Sequence, residues 1–180
     1  MSMKKLFLLA GLPGVGKSTV SKALNNKLEA KIVDIDDFKK IFVDPTAVTK
    51  EIDRPELRWL YYQEAIQHVL GLYDQGLSVV IMDEVFHLSS LRSSLEILCI
   101  QHNVEVYWIE VRCSYDTVAR RLRSAERNGH ILSTEEALAM HLQFIAIFEP
   151  FTCDSKNHII IDNEDDVSVD LLVEQVLQKL

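Results

Sequence analysis

The 180-residue chain carries only three cysteines, four prolines and six glycines, has no excess of positive charge, and contains no long hydrophobic run. Each shortage removes a class of protein. Cys99, Cys113 and Cys153 are odd in number, widely spaced and set in or beside apolar runs. That pattern argues against a disulfide scaffold or a metal-binding cysteine set and predicts reduced thiols in a cytoplasmic setting. No Pro-, Gly- or Ser-rich tract, linker or repeat divides the sequence, so it reads as one domain over 1–180, long enough to bury its own core. A formal net charge of −8 works against gripping long nucleic acid, which requires many phosphates to be neutralised. No segment approaches the roughly 20 apolar residues of a membrane span. Lys4 and Lys5 before the apolar run Leu6 to Ala10 imitate a secretory leader, but the run is short and flows into the most informative motif of the chain.

That motif is Gly11-Leu12-Pro13-Gly14-Val15-Gly16-Lys17-Ser18, a full match to G-x-x-x-x-G-K-[ST]. Its setting also fits. Lys5 to Ala10 before it reads as a buried strand, and Ser18 to Leu28 after it as a helix without internal Gly or Pro. By composition alone the pattern arises by accident in roughly one chain of this length in a hundred. A glycine-rich loop turns its backbone N–H groups inward around a triphosphate, and the positive end of the following helix adds to the field. Gly11, Pro13, Gly14, Val15, Gly16, Lys17, Ser18 and Thr19 are therefore the candidate nucleotide-binding residues. Lys17 is expected to reach the β- and γ-phosphates, and the Ser18 hydroxyl to ligate Mg²⁺.

Further strand-like runs at Lys31 to Asp34, Ser78 to Asp83, Val104 to Val111 and His158 to Asp162 alternate with helical patterns. The expected helices are Asp37 to Val43, Pro55 to Gln75, Leu88 to Gln101, Tyr115 to Glu126, Thr134 to Phe148 and Val167 to Leu180. Ser133 and Glu136 form a capping box before the sixth of the seven. Five strands with helical crossovers predict an α/β fold with a mostly parallel sheet covered on both faces. In such sheets ligands sit at the carboxyl ends of the strands. This rule selects the phosphate loop, the turn Asp34 to Asp37, the turn Asp83 to His87, the region after Val111, and Asp162-Asn163.

Three carboxylates in the turn Asp34 to Asp37 exceed what helix capping requires. Phosphoryl transfer needs a carboxylate beside the acceptor hydroxyl, and Asp36 is the candidate base, with Asp34 holding Mg²⁺ through water. Asp83 is a candidate outer-shell Mg²⁺ contact or substrate-side group, with Glu84 a weaker one. His87 reads as a solvated histidine at a helix start. Arg120, Arg121, Arg123 and Arg127 precede Asn128-Gly129. They suit either a solvated helix face or a lid near 120–134 in which Arg121 and Arg127 stabilise transferring charge, with Asn128-Gly129 as hinge. Arg54 and Arg58, one turn apart, are candidates for holding an anionic group on the acceptor. The set Trp59, Tyr62, Ile66, Val69 and Tyr73 reads as core.

GLPGVGKST at Gly11 to Thr19, the D-x-D element Asp34 to Asp36, Asp83, RRLRSAER at Arg120 to Arg127, Phe144 to Pro150 and HIIID at His158 to Asp162 resemble the small P-loop kinases. The resemblance is to the zeta-toxin, polynucleotide kinase, gluconate kinase and shikimate kinase type, often described as AAA-family ATPases, and covers nearly the whole chain. It implies a three-layer P-loop NTPase fold with strand order 2-3-1-4-5. It also implies ATP with Mg²⁺, Asp36 as acceptor base and a lid carrying Arg121 and Arg127. Two features depart from the group: Glu84 where a small residue often follows the strand-end aspartate, and a loop from Asp44 to Asp53 that matches no substrate motif. The leading expectation is γ-phosphoryl transfer from ATP to a hydroxyl of a small molecule. A polynucleotide or nucleotide kinase, and a nucleotide-dependent switch with weak ATPase activity, are the alternatives.

Overall fold

A computed structural model describes residues 3–43, 52–124, 133–151 and 157–180. Arg127, the Asn128-Gly129 hinge, Cys153 and most of the Asp44 to Asp53 loop lie outside the described residues. In chain order the elements are β1 (Lys4–Ala10), α1 (Lys17–Leu28), β2 (Lys31–Asp34), α2 (Ile35–Phe42), α3 (Pro55–Asp74), β3 (Val79–Asp83), α4 (Ser89–Gln101), β4 (Val104–Arg112), α5 (Tyr115–Ser124), α6 (Thr134–Ile147), β5 (His158–Asp162) and α7 (Val169–Leu177). All sheet pairings are parallel and the strand order is β2-β3-β1-β4-β5.

The alternation of side chains along β1 explains the three layers. Leu6, Leu8 and Ala10 enter the core beneath α3 and α4 with Tyr62, Ile66 and Leu95, whereas Phe7 and Leu9 enter the opposite core with Val20, Leu24 and Val173. The central strand is apolar on both faces, so it must lie between two helix layers. Tyr62, Ile66, Val69 and Tyr73 are buried and Trp59 packs against them, as their helical spacing predicts.

Local signals set most element ends. Pro55 opens α3, Ser133 and Glu136 complete the capping box of α6, and Gly76 follows the end of α3 at φ 99°. Among the described residues two helices differ by two or more residues: α7 runs only from Val169 to Leu177 inside the expected Val167 to Leu180, with Ser168 as its N-cap, and α2 starts at Ile35, because the Asp34 side chain accepts a 2.9 Å bond from the Asp36 N–H and caps the helix two residues earlier than expected. Asp36 and Asp37 consequently occupy its first turn, where carboxylates complement the positive helix end.

Candidate active site

The register brings the strand ends together. Leu9 pairs with Asp83 and Asp34 with Asp83, so the ends of β2 and β3 stand beside the loop that follows β1. The Gly11 N–H donates to Val85 O at 3.3 Å and the Glu84 N–H to Leu9 O at 3.1 Å. The phosphate loop and the β3 turn are thus tied by backbone bonds.

Two glycines in the loop admit no side chain. A Cβ on Gly11 would stand 2.4 Å from Val111 O, and one on Gly16, which lies at φ 92°, would stand 2.3 Å from Asn163 Nδ2. Lys17 folds over the loop, donating to Gly11 O at 2.9 Å and Leu12 O at 3.2 Å. Burial lowers its pKa below the ordinary lysine value, against the opposing attraction of Glu84 and Asp83. Ser18 and Thr19 are exposed at the start of α1. Behind them, the buried Ser21 hydroxyl donates to Asp83 Oδ2 at 2.8 Å, fixing one carboxylate oxygen.

Asp36 remains exposed over more than a third of its surface. Desolvation raises its pKa above the ordinary aspartate value, reinforced by the negative charges of Glu84 and Asp34 and opposed by Lys39 and Lys40. Glu84 therefore acts on both Lys17 and Asp36. It is also held firmly: Arg58 Nη1 lies 2.9 Å from Glu84 Oε1, which accepts the Val85 N–H at 2.9 Å as well. Arg58 is buried, its guanidinium 5.5 Å from the centre of the Phe144 ring. Its partner is thus an internal carboxylate, whereas Arg54 stands exposed at the N-cap of α3. One helical turn separates the two arginines in sequence; burial separates them in environment.

His87 corrects the expectation of a solvated residue. It is 3% exposed, packs edge-on against Phe144, and burial pushes its pKa down to about 4. The chain bends inward here because Phe86 adopts φ 48°, a left-handed conformation held by Arg92 Nη1 on Phe86 O at 2.7 Å and by packing on Tyr62 and Trp108. Arg92 also donates to Glu149 O and Pro150 O, so the Phe-Glu-Pro segment is docked onto the β3 turn.

On the other side of the loop, Arg121, Gly16, Thr19, Asn163, Glu164, Asp165, Val167 and Val169 line a cleft of about 260 Å³. Arg121 Nε lies 2.8 Å from Asp165 Oδ1, and Arg120 pairs with the same carboxylate. These hydrogen bonds, Arg120 first, hold the Asp165 carboxyl below the usual range. Among the described arginines of the cluster, Arg121 is the one that lines this cleft beside Gly16. Cys99 is buried and Cys113 half-buried, and both are free thiols.

Asn163 and His141 complete the surroundings of the loop. Asn163 Nδ2 donates to Val15 O at 2.7 Å, and His141 Nδ1 lies 2.6 Å from Pro13 O. The strand-end rule had already selected Asn163. His141 is missed by motif reading, and its one sequence signal is a histidine on the buried stripe Ala137, His141 and Phe144 of α6.

A 2-3-1-4-5 parallel sheet with a glycine-rich phosphate loop after its central strand defines the fold of the small P-loop kinases. Residues 6–149 match the AAA domain family, and the chain belongs to it. Among solved structures it is similar to a gluconokinase from Sinorhizobium meliloti 1021, with a TM-score of 0.70 and 15% identity over 99% of this chain and 93% of that one. It is similar to a sugar kinase from Janibacter sp. HTCC2649, with a TM-score of 0.71 and 16% identity over 97% and 93% of the two chains. The Mycobacterium tuberculosis APS kinase CysC, solved with AMPPNP and APS, superposes with a TM-score of 0.66 and 16% identity over 99% and 98%. Among the described residues no helix is long and apolar enough to cross a membrane.

Proposed function

We propose that this chain transfers the γ-phosphoryl group of ATP to a hydroxyl of a small molecule. The observation that carries the reading is the shared electrostatic environment of Lys17 and Asp36. Glu84 acts on both, so the donor-loop lysine and a carboxylate of raised basicity lie within the field of one acidic side chain at the carboxyl ends of β1, β2 and β3. A nucleotide-dependent switch has no need of such a carboxylate. The sugar, gluconate and APS kinases of the same fold support a small hydroxyl-bearing acceptor, and the AMPPNP held by the APS kinase supports ATP as donor.

In this reading the loop amides and Lys17 hold the phosphates, the cleft beside Arg121 and Asn163 receives the nucleoside, and Arg121 supplies positive charge to the transferring group. Asp36 accepts the acceptor hydroxyl's proton as its oxygen attacks phosphorus and the bond to the β-phosphate oxygen breaks. Among the described residues no three His, Cys, Asp or Glu side chains converge as a metal cage. What is present suits Mg²⁺, which keeps several waters and takes few protein ligands at a phosphate. The Ser18 hydroxyl would hold it, with Asp83 and Asp34 reaching it through water. When bound, Mg²⁺ supplies charge neutralisation on the phosphate oxygens.

The acceptor side favours a compound without negative charge there. Arg58 is neutralised by Glu84, and Lys39 lies 2.5 Å from Asp53 Oδ2. We therefore expect γ-labelled ATP to label uncharged polyols and nucleosides better than the matching sugar acids or nucleotides, by about tenfold or more in kcat/KM. Preferred turnover of the anionic member of each pair would overturn this choice of acceptor and favour the nucleotide or polynucleotide alternative.

The raised pKa of Asp36 has a kinetic consequence. On acidification its base form is lost at a higher pH than for an ordinary aspartate, so the acid limb of kcat/KM should lie to the alkaline side of where an unperturbed aspartate would put it. Glu84→Gln removes a negative neighbour and should move that limb to lower pH. The same substitution leaves Arg58 buried without its counter-charge and should cost about 3–5 kcal/mol of stability, measured by denaturant unfolding. An unmoved limb in a folded Glu84→Gln chain would separate Glu84 from Asp36.

A further inference from the structure

Five carbonyls of the phosphate loop have protein partners. Gly11 O and Leu12 O accept from Lys17, Gly16 O accepts from the Thr19 and Val20 N–H groups, Pro13 O meets His141, and Val15 O meets Asn163. The last two partners are unlike the rest. They are side chains reaching in from 128 and 148 residues away, 1% and 5% exposed, from α6 and from the residue after β5. A carbonyl only accepts, so His141 must donate through its Nδ1–H.

Every peptide in the loop is trans. In a planar trans peptide the N–H points opposite to the C=O of the preceding residue. Drawing Pro13 O toward His141 therefore turns the Gly14 N–H to the other side, and drawing Val15 O toward Asn163 does the same for the Gly16 N–H. Among the described residues, neither amide donates to a protein acceptor. These two are glycines in the left-handed region, at φ 84° and 92°, where the backbone needs external support to keep one orientation.

We infer that His141 and Asn163 are positioning residues of the donor site, which hold the Pro13–Gly14 and Val15–Gly16 peptides so that the Gly14 and Gly16 amides face an incoming phosphate chain. The inference rests on the donor-site reading above. Its physical content is preorganisation: amides already turned toward the anion need no reorientation when it arrives. His141 shares the buried face of α6 with Phe144, which touches His87 and Arg58, so one helix braces the phosphate loop and the acceptor side together.

Inorganic tripolyphosphate with Mg²⁺ is the probe, because it addresses the loop without a base or an acceptor. By titration calorimetry, His141→Leu and Asn163→Leu should each bind it about tenfold more weakly than the natural chain. His141→Asn, which keeps an N–H donor close to the ring Nδ1, should recover most of the affinity even where it does not recover Tm. A bracing role confined to stability would lower Tm in both leucine variants and leave the tripolyphosphate Kd unchanged, and that result overturns the inference. Amide NMR on the natural chain gives a readout that needs no variant. Addition of tripolyphosphate should shift the Gly14 and Gly16 N–H resonances downfield and slow their exchange, and unshifted resonances with tripolyphosphate bound would equally overturn it. Should the natural chain bind no tripolyphosphate, and Lys17→Ala behave identically, the donor-site reading falls and this inference with it.

Discussion

An Asp36→Asn chain should bind nucleotide as the natural sequence does and transfer phosphate about 10²- to 10⁴-fold more slowly, the range spanned by a lost general base. The substitution changes little else. Asp36 is exposed in the first turn of α2, and the cap of that helix is the Asp34 side chain, which accepts the backbone N–H of residue 36 and so survives the change. Removing one negative charge near the positive helix end costs about 0.3–1 kcal/mol, too little to unfold the chain. Calorimetric titration with a non-hydrolysable ATP analogue and initial rates with the best acceptor separate the two effects. Turnover within a few-fold of the natural chain, with nucleotide affinity intact, would remove Asp36 from the base role.

Replacing Lys17 by Ala should act on binding and rate together. In the structure the Lys17 ammonium rests on Gly11 O and Leu12 O, inside the loop that would receive the phosphates. We expect it to exchange those carbonyls for phosphate oxygens. Hydrogen bonds to charged groups contribute about 1.5–3 kcal/mol, so the nucleotide Kd should rise by about 10- to 150-fold. A lost donor to the transferring group should lower kcat by a further 10²–10³ or so. Asp83 and Glu84 would then lose the cation that both attract, an added electrostatic cost in the same direction. Nucleotide affinity equal to the natural chain would count against the phosphate-loop reading as a whole.

The donor half of the site was legible in the sequence to a degree that the acceptor half was not. A phosphate loop is contiguous: its glycines, lysine and hydroxyls are fixed in relation to each other by eight residues of backbone, so recognising the string recognises the geometry. The strand-end rule likewise placed Asp34, Asp83 and Asn163 at one edge, since in a parallel sheet all five carboxyl ends lie on the same side. The proposed acceptor half would be assembled from α2, α3, the β3 turn and α6. Sequence spacing made Arg54 and Arg58 look alike, and only the partner Glu84, 26 residues away, draws Arg58 inward and leaves Arg54 outside. His87 looked like a surface residue because nothing local announces the turn at Phe86 that buries it.

The amino-acid order alone determined the parallel three-layer architecture and the loop for a phosphate chain, because period-two burial, capping residues and a contiguous glycine motif are all short-range. Tertiary structure alone decided which side chains that loop leans on, which arginine is internally neutralised, and which carboxylate gains basicity. Those outcomes depend on groups brought together from distant segments, and on the exclusion of water between them, neither of which is written in the spacing of residues along the chain.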